Sequence, residues 1–172
     1  MKFTKEDARK RVLNCAKQYQ QNLLHKKLLI IFRERQDNSI RFIEIIFHER
    51  NYQHLTGLEL TNTEGKILQH QSKNFYRKCI ENKLGLNDVD KVMGGVNFCL
   101  GLSRENDVFV PSSALLEDIK KLTSSPSQVL AIFEKDIDSE LYSTVKHVAK
   151  GLNLHHLILP PEISSKILSL IH

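Results

Sequence analysis

At 172 residues, with 41% apolar and 26% charged side chains, the chain has the size and balance of one globular domain that can bury a core without staples. Its longest apolar run, Leu28 to Phe32, is far short of the roughly 20 residues that cross a bilayer, and its polar start lacks the apolar segment of a secretory signal. Cys15, Cys79 and Cys99 are odd in number and widely spaced, which argues against a disulfide framework or a CxxC metal pair and fits a reducing, cytoplasmic setting. The net charge of +5 and the pI near 9.1 favour approach to a polyanion. Bases interleaved with acids describe a merely solubilising surface equally well.

The first predicted element is a helix over residues 4–25. Thr4 can cap it, Asp7 stands at the capping-box spacing, and Ala8, Val12, Cys15, Tyr19 and Leu23 recur at helical intervals. Arg9-Lys10-Arg11 falls in its early turns, either as a phosphate-binding cluster or as a solvated face. Leu28 to Phe32 and Ile40 to Phe47 read as two strands of a hairpin joined by residues 33–39. In the second strand Ile40, Phe42 and Ile45 to Phe47 face inward, and Arg41 and Glu44 are expected to face water.

Residues 61–66 carry turn chemistry, and residues 72–83 return to a helical pattern with Phe75, Cys79 and Ile80 on one face. Leu84 to Asp90 reads as a connector into a second helical stretch. Around residues 91–105 the Gly94-Gly95 pair leaves helix and strand both open. Val108 to Pro111 reads as a short strand stopped by its proline, and Ser113 to Lys121 as a brief helix. Residues 123–127 form a polar loop, after which Gln128 to Glu134, Leu141 to Val148 and Leu154 to Leu159 have strand composition. A short helix closes the chain. Helices and hairpin strands in separate blocks, without regular βαβ crossovers, define an α+β fold on a mainly antiparallel sheet, within a single domain of residues 1–172.

GxGxxG, the Walker loop, HExxH and GxSxG are absent, which lowers the expectation of nucleotide, zincin or serine-hydrolase chemistry, and no cofactor is expected. His155 and His156 would point to opposite faces of a strand and could not easily share a metal. The segment from His48 to Gly57 is different, because it sets a histidine, an arginine, an amide and a hydroxyl at a strand exit. Histidine exchanges protons near neutral pH, and arginine neutralises phosphate. The competing reading makes Tyr52, Leu55 and Leu58 core anchors of a short helix and His54 a structural hydrogen-bonder.

Phe47 to Leu58, Asn74 to Leu84, and the pair Val108–Pro111 and Val129–Phe133 together resemble a phage-associated nuclease family with the Barnase, EndoU, colicin and RelE ribonuclease fold. The resemblance spans most of residues 28–163. It implies helices packed on a twisted antiparallel sheet and a metal-independent endoribonuclease of phage or mobile-element conflict, toxin-like type. RNA would be the substrate, and a neutralising, antitoxin-like protein is a candidate partner. Carried onto this chain, the resemblance makes His54 the proton-transfer group, Thr56 a donor to a phosphate oxygen and Arg50 the holder of its charge. Tyr76, Lys78, Lys83 and Lys146 are the candidate substrate-binding residues. The alternative is a non-catalytic nucleic-acid- or protein-binding domain of a mobile element.

Overall fold

A computed structural model describes residues 4–56, 71–84, 99–115 and 118–171. Helix α1 (Lys5–Asn22) begins as its sequence demands: Asp7 N–H donates to Thr4 Oγ1 at 3.1 Å, and the Asp7 carboxylate accepts from Thr4 N–H at 3.0 Å. Its buried face is Ala8, Val12, Leu13, Ala16 and Tyr19. Cys15, expected on that face, is exposed, because the apolar stripe runs through Ala16 instead.

The predicted hairpin is present as β1 (Lys26–Arg33) and β2 (Ile40–Ile46), antiparallel and in register from Lys27 opposite Ile46 to Arg33 opposite Ile40. Asn38 takes the left-handed conformation (φ 58°) in the turn, where Asp37 accepts from the Ser39 N–H at 2.9 Å. Next come α2 (Asn51–Thr56) and α3 (Ser72–Ile80), with Phe75, Tyr76 and Cys79 buried. The end of α3 is a Schellman turn: Asn82 is left-handed (φ 57°), and Lys83 N–H donates to the Lys78 carbonyl at 2.7 Å. Arg9 does not stand free in solvent, since its Nε donates to the Leu84 carbonyl at 2.6 Å.

Strands β3 (Cys99–Glu105) and β4 (Val108–Leu115) follow. The uncertain stretch thus ends in a strand, while Gly94-Gly95, the connector beyond Leu84 and residues 61–66 lie outside the described residues. Pro111 does not stop β4. The strand meets β2 in parallel at Phe109 opposite Ile45 and runs on past the proline to Leu115. The helix expected over 113–121 shrinks to α4 (Ile119–Leu122), because 113–115 continue the strand. Strand β5 (Gln128–Asp136) pairs antiparallel with β1 and with β6 (Thr144–Val148), completing a sheet of order β3-β4-β2-β1-β5-β6. The strand expected over 154–159 is instead a 3-10 turn, Leu154–His156, opened by Asn153 accepting from His155 N–H at 3.0 Å. Helix α5 (Pro161–Ile171) starts on a proline at its first position, where no N–H is needed. The α+β class with a mainly antiparallel sheet is as expected.

The chain divides into two compact units. One contains residues 1–24, 47–103 and 110–118, the other residues 25–46, 104–109 and 119–172. In the first, α1, α2 and α3 surround the rings of Tyr19, Phe47, Tyr52, Phe75 and Tyr76, with centroids 5.2–6.2 Å apart between contacting pairs. In the second, Leu29 and Ile31 of β1, Leu130, Ala131 and Phe133 of β5, and Ile163 and Ile167 of α5 close on Tyr142.

Candidate functional site

The turn into α2 is built around one amide. Asn51 is 4% exposed; its Oδ1 accepts from His48 N–H at 2.8 Å and its Nδ2 donates to the Pro111 carbonyl at 2.8 Å. Asn51 N–H donates back to the His48 carbonyl at 2.9 Å, and the Tyr19 hydroxyl donates to the same oxygen at 2.9 Å. Tyr52 then plunges inward, and its hydroxyl donates to the Val12 carbonyl at 2.6 Å. Burial raises the Tyr19 and Tyr52 hydroxyls above the usual phenol range, so both remain neutral donors. Six residues are too few to form a stable helix alone, and these anchors hold α2 in place.

Fixed this way, α2 exposes His54 to solvent. Arg50, in the turn that precedes the helix, is also exposed. Thr56 lies two residues beyond His54 and so turns to another side of the helix. Its hydroxyl donates to the Gln53 carbonyl at 2.7 Å, and with Tyr52 and Leu55 it lines a groove of about 500 Å³ against Val12, Cys15 and Tyr19 of α1. The helix therefore turns Thr56 to another side than His54. Gly57 and Leu58 fall outside the described residues.

Tyr76, on α3, is 3% exposed and packed against Tyr19 and Tyr52. Its hydroxyl has no hydrogen-bond partner among the described residues, and burial, followed by the nearby Glu49 charge, raises it. Lys78 is half-buried on the same helix. Lys83, just past its end, is exposed and pairs with Glu81 at 2.8 Å. Lys146 belongs to the second unit, on β6, where it pairs with the inward-facing Glu134 of β5 at 3.2 Å.

The sequence reading missed a second cluster of charges. Glu44, expected to face water, has a side chain only 12% exposed. It lies opposite Leu29, on the sheet face that carries the core, and receives the Tyr142 hydroxyl at 2.6 Å and Lys27 Nζ at 3.1 Å, with Lys166 of α5 at 3.6 Å. Burial alone would raise its carboxyl, but the Tyr142 and Lys27 hydrogen bonds and the charges of Lys27 and Lys166 hold it below the usual carboxylate range. Lys135 sits nearby over the Tyr142 ring and donates to the carbonyls of Ser139 at 2.5 Å and Glu140 at 3.2 Å. Burial pushes its ammonium pKa down, as do the neighbouring lysine charges. The only hint in the sequence was alternation, which set Glu44 in phase with Phe42 rather than with Arg41.

Among the described residues no three His, Cys, Asp or Glu side chains converge as metal ligands, and no helix is long and apolar enough to cross a membrane. The three cysteines form no disulfide.

Helices on a mainly antiparallel sheet, with the histidine segment mounted between β2 and α3, define an α+β protein consistent with the Barnase and EndoU type of nuclease. Residues 11–95 match the family model of phage-Barnase-EndoU-ColicinE5/D-RelE like nuclease 4, and over that span, from α1 through α3, the chain resembles that nuclease family. No curated protein and no solved structure matches the chain.

Proposed function

We propose that the protein is a metal-independent endoribonuclease of phage or mobile-element conflict type, acting in the cytoplasm and held in check by a neutralising protein. The observation that carries this reading is the nuclease-family match over residues 11–95, a span that contains Arg50, His54, Thr56, Tyr76, Lys78 and Lys83.

RNA supplies its own nucleophile, which is why the route needs no ion. A base takes the 2′-hydroxyl proton, the freed oxygen attacks phosphorus in line, the P–O5′ bond breaks, and an acid protonates the departing 5′-oxygen. His54 is exposed and free of a fixed structural role in α2, which suits proton transfer at neutral pH. Arg50, exposed in the turn before α2, suits the negative charge that grows on the phosphoryl oxygens. Lys78, Lys83 and Lys146 serve as phosphate-neutralising groups for the RNA backbone. Thr56 and Tyr76 hold α2 on its neighbours in this reading, with Thr56 as a phosphate donor only after its hydroxyl leaves Gln53.

The test is cleavage of single-stranded RNA by the purified chain in the presence of a chelator. His54→Ala is expected to lower the rate by about 10²–10⁴-fold while leaving RNA binding near wild type. Intact RNA with the wild-type chain, or cleavage unchanged in the variant, removes the proposal. Two observations favour a second reading, a non-catalytic nucleic-acid- or protein-binding domain: the Thr56 hydroxyl is bonded to the Gln53 carbonyl and Tyr76 is buried. RNA binding without cleavage is its signature.

A further inference from the structure

The tip of the β1–β2 hairpin frames a cavity of about 380 Å³ lined by Arg33, Glu34, Arg35, Asn38, Pro126 and Gln128. Its arginines stand out because the hairpin's own acids are committed elsewhere. Asp37 accepts from Ser39 N–H at 2.9 Å and pairs with Arg41 at 3.3 Å. Glu34 Oε2 accepts the Ser127 hydroxyl at 2.7 Å. Neither the Arg33 nor the Arg35 side chain has an ion-pair or hydrogen-bond partner among the described residues. Arg33 is half-buried at the end of β1, opposite Gln128 of β5 and Ile40 of β2, so one guanidinium is presented from ordered sheet rather than from a loose tail.

Two guanidiniums that line one cavity, unpaired among the described residues, attract an oxyanion, for which their planar donor forks are suited. The cavity offers more than a bare anion needs. It is several times the volume of a phosphate group, and its remaining polar groups are two amides and a carboxylate with one oxygen uncommitted to Ser127. An acceptor oxygen repels phosphate but takes hydrogen bonds from sugar hydroxyls. The volume lies in the range of small-molecule sites, roughly 300–1,000 Å³.

We propose that this cavity is a ribonucleotide-phosphate site, in which Arg33 and Arg35 hold the phosphate and Glu34, with the Asn38 and Gln128 amides, takes the ribose hydroxyls. The site stands on the second unit alone and does not depend on whether the chain cuts RNA. The phosphate and ribose arrive either as a free nucleotide or as one residue of an RNA strand.

The experiment measures binding to the full-length His54→Ala chain, so that cleavage does not intrude, with uridine and adenosine monophosphates, the deoxyribose counterpart, inorganic phosphate and a short oligoribonucleotide as separate probes. A ribonucleotide should bind more tightly than inorganic phosphate and than the deoxynucleotide. Arg35→Gln and Arg33→Gln should each weaken binding about tenfold, the loss of one charged hydrogen-bonding partner. Lys150→Gln, on an exposed lysine away from the cavity, should change nothing. Glu34→Gln should erase most of the preference for ribose while retaining phosphate binding. Tighter binding of the oligoribonucleotide than of the mononucleotide, with the same loss in Arg35→Gln, assigns the site to an RNA strand, and the reverse order assigns it to a free nucleotide. If Arg33→Gln does not fold, the exposed Arg35→Gln and its partial rescue by Arg35→Lys decide the matter. Equal affinity for phosphate and ribonucleotide, absence of nucleotide binding, or binding indifferent to Arg35 overturns the proposal.

Discussion

The two units are held together by different chemistry. The first fixes three helices with aromatic rings whose hydroxyls reach backbone carbonyls, as Tyr52 does to Val12 and Tyr19 to His48. The second is an aliphatic sheet core that carries one carboxylate, Glu44, ringed by Lys27, Lys166 and the Tyr142 hydroxyl. Neutral hydrogen bonds tolerate the loss of a partner better than a desolvated ion cluster does. The second unit should therefore be the more sensitive to single charge deletions and to acid.

The sharpest way to break that comparison is Glu44→Leu, which leaves Lys27 and the buried Tyr142 hydroxyl without their acceptor. It should lower stability by about 3 kcal/mol, read from the midpoint of urea unfolding followed by circular dichroism. A wild-type midpoint would mean that the cluster is solvated in practice. Acid should act on the same group. The Glu44 carboxyl is held below its ordinary 4.5 in the fold, so its contribution is complete above that value and is lost as pH falls through the lower, folded one. The acid transition of Glu44→Gln should be correspondingly flatter below about pH 4.5, because the variant has no such proton to take up.

In the first unit, Tyr52→Phe keeps the ring and removes only the hydroxyl's bond to the Val12 carbonyl, which stays within α1, for an expected loss of about 1 kcal/mol that does not vary between pH 4 and pH 8. The smallest effect should come from Thr4→Ala at the start of α1, about 1 kcal/mol, seen as fraying of amide protection over the first turn. A Tyr52→Phe loss as large as that of Glu44→Leu would erase the contrast between the units.

The parts of the fold that were legible in the sequence are those whose signals are local. The Thr4 and Asp7 box marked the start of α1, β-rich composition marked β1 and β2, and the Phe75-to-Cys79 spacing marked α3. What was not legible depended on pairing partners far along the chain. Pro111 looked like a stop because nothing local shows that β2 meets β4 at Phe109. Leu154 to Leu159 looked like a strand because its leucines cover the core, although Asn153 bends the backbone into a 3-10 turn. Glu44 looked solvated because its partners, Lys27, Tyr142 and Lys166, come from three separate places in the sequence. For the candidate site, the sequence picked out the segment, and the structure places His54 and Arg50 on the surface there. The direction of the Thr56 hydroxyl and the burial of Tyr76 needed coordinates.

The distribution of tyrosines has an optical consequence. The chain has four tyrosines and no tryptophan, so its near-ultraviolet emission comes from tyrosine alone. Tyr19, Tyr52 and Tyr76 form one set of touching rings in the first unit, and Tyr142 lies apart in the second, under Lys135 and beside Glu44. All four hydroxyls are raised above the ordinary phenol value, so tyrosinate absorbance in alkali should lag until the chain opens. A single Tyr142→Phe substitution then leaves a spectrum that belongs wholly to the helical unit, with no dye or label attached.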